Sequence, residues 1–218
     1  SSLMQTGNIK KAILLAGDAR KQAKEELDQL FGYACTATAL EYSKEAKPFY
    51  FDLGTDGTGY DAIIRPGGGC RNQFNEDSLK LELCEDGRKR HAIQTRMKGM
   101  DVFAFGITTA PKSIKKLTAN YEMDYTSFDY VILHQANYKM TETIRKKLKL
   151  DAEKMPYSML HFGNTSSASI PLTIVTQLKG KIEDKPTKII GCAFGVGLSW
   201  GTVAFETEHL LISELVEV

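Results

Sequence analysis

From residue 128 onward, short apolar runs that read as buried strands alternate with longer stretches that read as helices. No other feature of the chain restricts its fold as strongly. "VIL" at 131–133 precedes a helical pattern from about Tyr138 to Leu148, with Met140, Ile144 and Leu148 recurring every fourth residue. A short strand is expected near 156–160, and then a helix that starts after the Ser/Thr run of "GNTSSASIP" and stops at Gly180. "TKIIGCAF" and "SWGTVAFE" close the series as a strand pair turning at Gly195-Val196-Gly197. Such alternation predicts an α/β architecture with a largely parallel, buried sheet.

The first half is less regular. "SSLMQTGN" has the character of a helix end closed by Gly7, and so few residues cannot nucleate a helix alone. The chain is therefore expected to begin inside an element whose first turns lie upstream. "IKKAILLAGDA" reads as a strand with Ile13–Ala16 as its buried run. A short helix from Glu26 and a strand over Ala34–Leu40 follow, and then strand, turn, strand and a Gly-rich loop through "PFYFDLGTDGTGYDAIIRPGGG". Residues 89–120 are expected to be mostly helical, with an interruption at Pro111.

At 218 residues the chain has room for one large α/β domain or two small ones. A formal charge of +1 gives no reason to expect nucleic acid or a membrane surface as partner. No apolar stretch approaches the roughly 18 residues of a membrane span. Cys35, Cys70, Cys84 and Cys192 show no CxxC pairing, and His91, His134, His161 and His209 lack helical metal-ligand spacing. The expectation is a cytoplasmic protein with reduced thiols, no metal and no bound cofactor.

Three motifs compete for a functional role. "GLSWG" at 197–201 matches the nucleophile-elbow pattern, but that pattern needs a helix after the serine, and "TVAFE" continues as a strand. Ser199 is therefore read as an ordinary strand residue. "GTDGTGYD" and "PGGG" lack the lysine of a phosphate loop and the ligand spacing of a calcium loop, so they are read as turns. His134 and Asn164 stand apart. Each falls just past the end of a strand or in the loop before a helix, where sheets with helical crossovers place their sites.

"HQAN" at 134–137, "GNTSSASIP" at 163–171 and "FGVGLSWG" at 194–201 together closely resemble β-ketoacyl-acyl-carrier-protein synthase III. The likeness runs from the first residues, through "GNIKKAILLAGD", to about Glu206. It implies a thiolase-like layered α/β/α/β/α fold, here the end of the first half (residues 1–45) plus the complete second half (46–218). It implies decarboxylative Claisen condensation of an acyl-CoA primer with malonyl-acyl-carrier protein, by a homodimer. His134 and Asn164 would donate hydrogen bonds to the malonyl thioester oxygen. The Val196 amide would serve a second oxyanion hole, and Phe194 and Asn137 would line the substrate pocket. Lys139, Lys146 and Lys147, on a helix that also carries Arg145 and Lys149, would meet the acidic carrier protein.

The resemblance also implies a nucleophilic cysteine at a helix N-terminus that this sequence lacks, so the 218 residues alone are expected to be inactive. The sequence departs from the family at Tyr33, where Asp is usual, and the tail after Glu206 has no clear counterpart. A related CoA-dependent condensing enzyme and a non-catalytic carrier-binding module remain open as alternatives.

Overall fold

The structure, a computed structural model, describes residues 2–18 and 30–217. The short helix expected from Glu26 falls outside them. A helical turn, α1 (Ser2–Gln5), leads to β1 (Lys11–Gly17) and β2 (Cys35–Glu41). These two pair antiparallel, with Ile13 opposite Ala39 and Leu15 opposite Ala37. β3 (Tyr50–Thr55) follows, and then four two-residue strands, β4 (Ile63–Ile64), β5 (Glu82–Leu83), β6 (Lys89–Arg90) and β7 (Arg96–Met97). After them come α2 (Gly99–Asn120), β8 (Tyr130–Leu133), α3 (Tyr138–Leu148), α4 (Met159–Phe162), α5 (Ser169–Thr173), β9 (Thr187–Gly195) and β10 (Ser199–Thr207).

The main sheet has the order β3-β10-β9-β8. Only β8 and β9 run parallel; β9–β10 and β10–β3 are antiparallel. This corrects the expectation of a largely parallel sheet. A turn of three residues can join only antiparallel neighbours, and only the long crossover through α3, α4 and α5 returns β9 parallel to β8. Alternation along β8 divides the core. Val131 and Leu133 pack with Ile114, Leu117 and Ile144 from α2 and α3, while Ile132 packs with Leu178, Ile182 and Ile189 on the opposite face. α5 packs against both β8 and β2, so the layers run α2–α3, main sheet, α5, β1–β2 sheet.

Four further expectations are corrected. The helix expected from 89 begins at Gly99, because the preceding residues form β6 and β7. α2 also runs unbroken through Pro111. Proline deletes the N–H that would bond the Ile107 carbonyl, and Lys147 Nζ from α3 donates to that oxygen at 3.0 Å instead. No strand forms at 156–160; the chain there passes into α4. Finally, β1 is a strand, but its apolar run is not buried: Ile13 is 71% exposed and Leu15 73%. The sheet has two strands, and among the described residues only one of its faces is covered, by the 166–173 segment.

Candidate active site

Strand register delivers His134. β8 pairs with β9 from Tyr130–Ile189 to Leu133–Cys192, and the next residue, His134, donates its backbone N–H to the Cys192 carbonyl at 2.8 Å. The ladder thus ends on the histidine, whose ring turns off the sheet. Phe194, one strand over, meets that ring edge-on with centroids 5.8 Å apart and planes at 85°. Phe194 is itself fixed by Phe105 of α2 at 6.3 Å. Gly106 permits this approach, since a Cβ there would lie 2.7 Å from both Phe194 Cε2 and Met140 Sδ.

Asn164 arrives from the other side of the sheet end. Its backbone N–H donates to the Leu30 carbonyl at 2.8 Å, and its carbonyl accepts from the Gly32 N–H at 3.0 Å. The side chain is oriented by Ser166, whose N–H donates to Asn164 Oδ1 at 2.9 Å. With the carboxamide oxygen so occupied, Nδ2 remains as the donor for a ligand. Ser166 holds φ at +53°, a conformation rare for a residue with a Cβ. Its backbone is also a hydrogen-bond partner of the His134 ring, so one strained residue touches both side chains.

The ring of His134 is largely enclosed, and burial pulls its pKa down from 6.5 to about 4 despite the opposing Ser166 hydrogen bond. The imidazole is therefore neutral at pH 7, with one N–H to give. Nδ1 lies 2.8 Å from Ser169 Oγ. Two neutral donors on adjoining loops, in a site walled by Phe194, suit stabilisation of a developing oxyanion.

The other expected residues fall as follows. Asn137 is the N-cap of α3, its Oδ1 accepting from the Met140 N–H at 2.9 Å, so only its NH2 is free to face a ligand. Val196 sits exposed in the β9–β10 turn, where its carbonyl accepts from Ser199 Oγ at 2.7 Å. Ser199 opens β10, as its strand reading requires. Lys139 and Lys146 are exposed on α3, and Lys139 Nζ lies 6.0 Å from the centre of the Phe103 ring. Lys147 is engaged at Ile107, and Arg145 forms a two-pronged pair with Glu142 at 2.8 Å. Lys147 keeps its charge and is exposed like Lys139 and Lys146, and Lys149 sits in the left-handed cap.

None of the four cysteines is set up as a nucleophile beside this pair. Cys192 is fully buried, its Sγ accepts from Thr202 Oγ1 at 3.2 Å, and burial pushes its thiol up to about 12. Cys35 starts β2, while Cys70 and Cys84 lie on the loops between β4 and β6. Among the described residues no group of three His, Cys, Asp or Glu side chains could hold a metal ion, and no helix is long and apolar enough to cross a membrane.

Sequence reasoning gave no role to Gln135, which joins the two halves of the site. Fully buried, it donates from Nε2 to the Leu133 carbonyl at 2.7 Å. Its Oε1 accepts from the N–H groups of Ser158 and Met159 at 3.1 and 3.3 Å. The carboxamide thereby ties the His134 strand end to the segment leading to Asn164. A glutamine in an otherwise small and aromatic motif was the one available signal.

A family profile described as 3-oxoacyl-[acyl-carrier-protein] synthase III C terminal matches residues 118–207, the span holding both His134 and Asn164. This region of the chain is similar to the C-terminal part of that family. A β-ketoacyl-[acyl-carrier-protein] synthase III from Clostridium acetobutylicum is 30% identical over 210 residues, covering 94% of this chain and 62% of the relative. A 3-oxoacyl-(acyl-carrier protein) synthase structure from Burkholderia xenovorans superposes with a TM-score of 0.85 at 32% identity, covering 100% of this chain and 62% of its own. A second crystal structure, of a 3-oxoacyl-(acyl-carrier-protein) synthase III, gives a TM-score of 0.86 at 30% identity. The chain thus spans about three fifths of the length of these relatives and shares the layered thiolase fold of the synthase III family.

Proposed function

We propose that this chain carries the decarboxylation half of a synthase III active site, within a protein that joins an acyl-CoA primer to malonyl-acyl-carrier protein. In that reaction the C–C bond to the malonyl carboxylate breaks, carbon dioxide leaves, and the electron pair moves onto the thioester oxygen. His134 and Asn164 Nδ2 hold the resulting enolate oxygen. The enolate carbon then attacks an acyl thioester, a C–C bond forms, and the cysteine thiolate that carried the acyl group departs. The Val196 amide, free to approach between two glycines, serves the oxyanion of that second step, and Phe194 walls the pocket. The acylated cysteine is none of the four in this chain. Lys139, Lys146 and Lys147 present the charge for an acidic carrier protein.

The observation that carries this reading is the pairing of Asn164, whose Oδ1 is taken by Ser166, with a buried and neutral His134. Asn164 Nδ2 and the one N–H of a neutral imidazole are the two uncharged donors that an enolate oxygen needs. Such preorganised donors are worth about 3–4 kcal/mol each against a developing charge. A boundary between fold halves near 45/46 belongs to the same proposal, supported by the change of sheet between Glu41 and Tyr50. So do the homodimer and the cytoplasmic location, which rest on the family resemblance.

In the full-length protein, His134→Ala and Asn164→Ala are each expected to slow malonyl decarboxylation about 100-fold to 1000-fold while leaving acylation of the cysteine intact. Equal loss of acylation would overturn the assignment. The 218 residues alone, mixed with acyl-CoA and malonyl-carrier protein, are expected to give no sustained product. A chain that preferred malonyl-CoA to the carrier-bound substrate would instead be a CoA-dependent condensing enzyme.

A further inference from the structure

Gly106 is buried in the interior of α2, where glycine is the poorest residue after proline. Its reason for being there is the ring of Phe194. A Cβ at this position would lie 2.7 Å from Phe194 Cε2, 3.1 Å from Phe194 Cζ and 2.7 Å from Met140 Sδ. Carbon atoms in ordinary contact stand about 3.5–4.0 Å apart, so a methyl here would drive the ring outward by about 1 Å. Met140, a flexible side chain, can give way at its end; a phenyl ring moves only as a whole. Phe194 has few directions in which to move. It is 8% exposed, Phe105 meets it edge-on at 6.3 Å, and Trp200 is its partner across the β9–β10 ladder. Phe105 is in turn backed by Trp200 at 6.1 Å. The remaining side is that of His134, whose ring centre is 5.8 Å away.

We propose that Gly106 is a specificity-determining residue. By letting Phe194 sit back into α2, it keeps the pocket beside His134 wide enough for a malonyl thioester that carries a methyl branch. Both plain and α-methyl malonyl units are then decarboxylated, with the same bond changes and the methyl retained on the enolate carbon. That carbon is two bonds from the oxygen held by His134, so a substituent on it meets the Phe194 wall. The seating of Phe194 in the glycine notch stands on geometry alone; the consequence for substrate choice rests on the oxyanion role proposed for His134. A wall displaced toward His134 would tax the branched substrate more than the plain one, and one methyl in a fitted pocket is worth about tenfold or more in kcat/KM.

The test compares decarboxylation of malonyl- and methylmalonyl-carrier protein by the full-length protein. Wild-type kcat/KM for the branched substrate should lie within about tenfold of that for malonyl, and Gly106→Ala should lower the ratio of the two at least about tenfold. A smaller change in the ratio, or a wild type outside that range, overturns the proposal; a merely structural glycine would slow both substrates alike. A second pair of measurements needs no turnover. Leucine lacks the Cε2 and Cζ atoms that fill the notch, so Phe194→Leu should relieve the clash. The change in urea midpoint caused by Gly106→Ala should therefore be unfavourable in the wild type and favourable in Phe194→Leu. An equal or less favourable change in Phe194→Leu would show that Gly106 does not seat Phe194, and would overturn the proposal at its root. Failure to decarboxylate malonyl itself would instead strike the reading of the His134 site, and the unfolding pair would still decide the notch.

Discussion

The main sheet and the β1–β2 sheet are built from similar residues and treat them oppositely. In β8 and β9, Val131, Ile132, Leu133, Ile189 and Ile190 are all essentially without exposure. In β1, Ile13, Leu14 and Leu15 are each more than half exposed, although the strand is as apolar in sequence. The difference is layering. The main sheet has α2 and α3 on one face and α5 on the other, whereas, among the described residues, β1–β2 has α5 and the 166–168 turn on one face alone. Apolarity makes a strand, but neighbours decide whether it contributes to stability. Function follows the same division, with one exception: Asn164, on the well-packed side, is held by the Leu30–Gly32 segment that leads into β2.

The largest effect should come from the packed sheet. Ile190→Ala removes a fully buried side chain from the α2–α3 face and should cost about 3–4 kcal/mol in urea unfolding. A cost near zero would mean that this core is loosely packed and the contrast false. Gly32→Ala attacks the point where the regions cross. A Cβ there would sit 1.8 Å from the Phe162 carbonyl oxygen, which is backbone and cannot swing away. The Asn164 loop must shift, and a displacement of about 1 Å is expected to lower decarboxylation by the full-length protein on the order of 100-fold. Retained activity would show that Asn164 does not depend on the poorly covered region.

The next effect is a pH dependence confined to the packed side. His134 has a folded pKa near 4 against an ordinary value of 6.5. Between those values the unfolded chain binds more protons than the folded one, so stability must fall as pH drops through this window. It is undiminished above about 6.5 and fully lost below about 4, with a total on the order of 2 kcal/mol because the ring keeps a partly exposed edge. Denaturation midpoints of the wild type and His134→Ala across pH 4–7 should diverge accordingly. Parallel curves would mean that the ring is solvated.

Where the chain was legible, local chemistry and packing agreed. α3 begins at Tyr138 and ends at Leu148, as its apolar spacing and the Asn137 cap require. His134 and Asn164 could be picked out because polar residues at the ends of apolar runs are conspicuous. The misreadings came from partners distant in sequence. Pro111 breaks a helix unless something replaces its lost donor, and the replacement, Lys147, lies on another helix. Strand direction depends on connection length, and the burial of Ile13 and Leu15 depends on a covering layer that no local pattern reports. Gln135 and Ser169 escaped notice for the same reason: a buried polar side chain takes its meaning from the group it meets, here the 158–159 backbone and the His134 ring.

The smallest expected effect is the sharpest probe of the exposed sheet. Ile13 and Leu15 are two apart on β1 and share a face, opposite Ala39 and Ala37. Replacing both with threonine keeps β-branching at residue 13 and adds it at residue 15, so strand propensity is preserved and only apolar contact is removed. On an uncovered face the double substitution should change unfolding free energy by no more than about 0.5 kcal/mol. A loss of about 1.5–3 kcal/mol per residue would be the signature of burial, meaning that this face meets another surface in solution. A midpoint that rises with protein concentration would then make that surface a second copy. A concentration-independent loss would place the cover within the same molecule, and the contrast between the two sheets would shrink to a difference in what covers them.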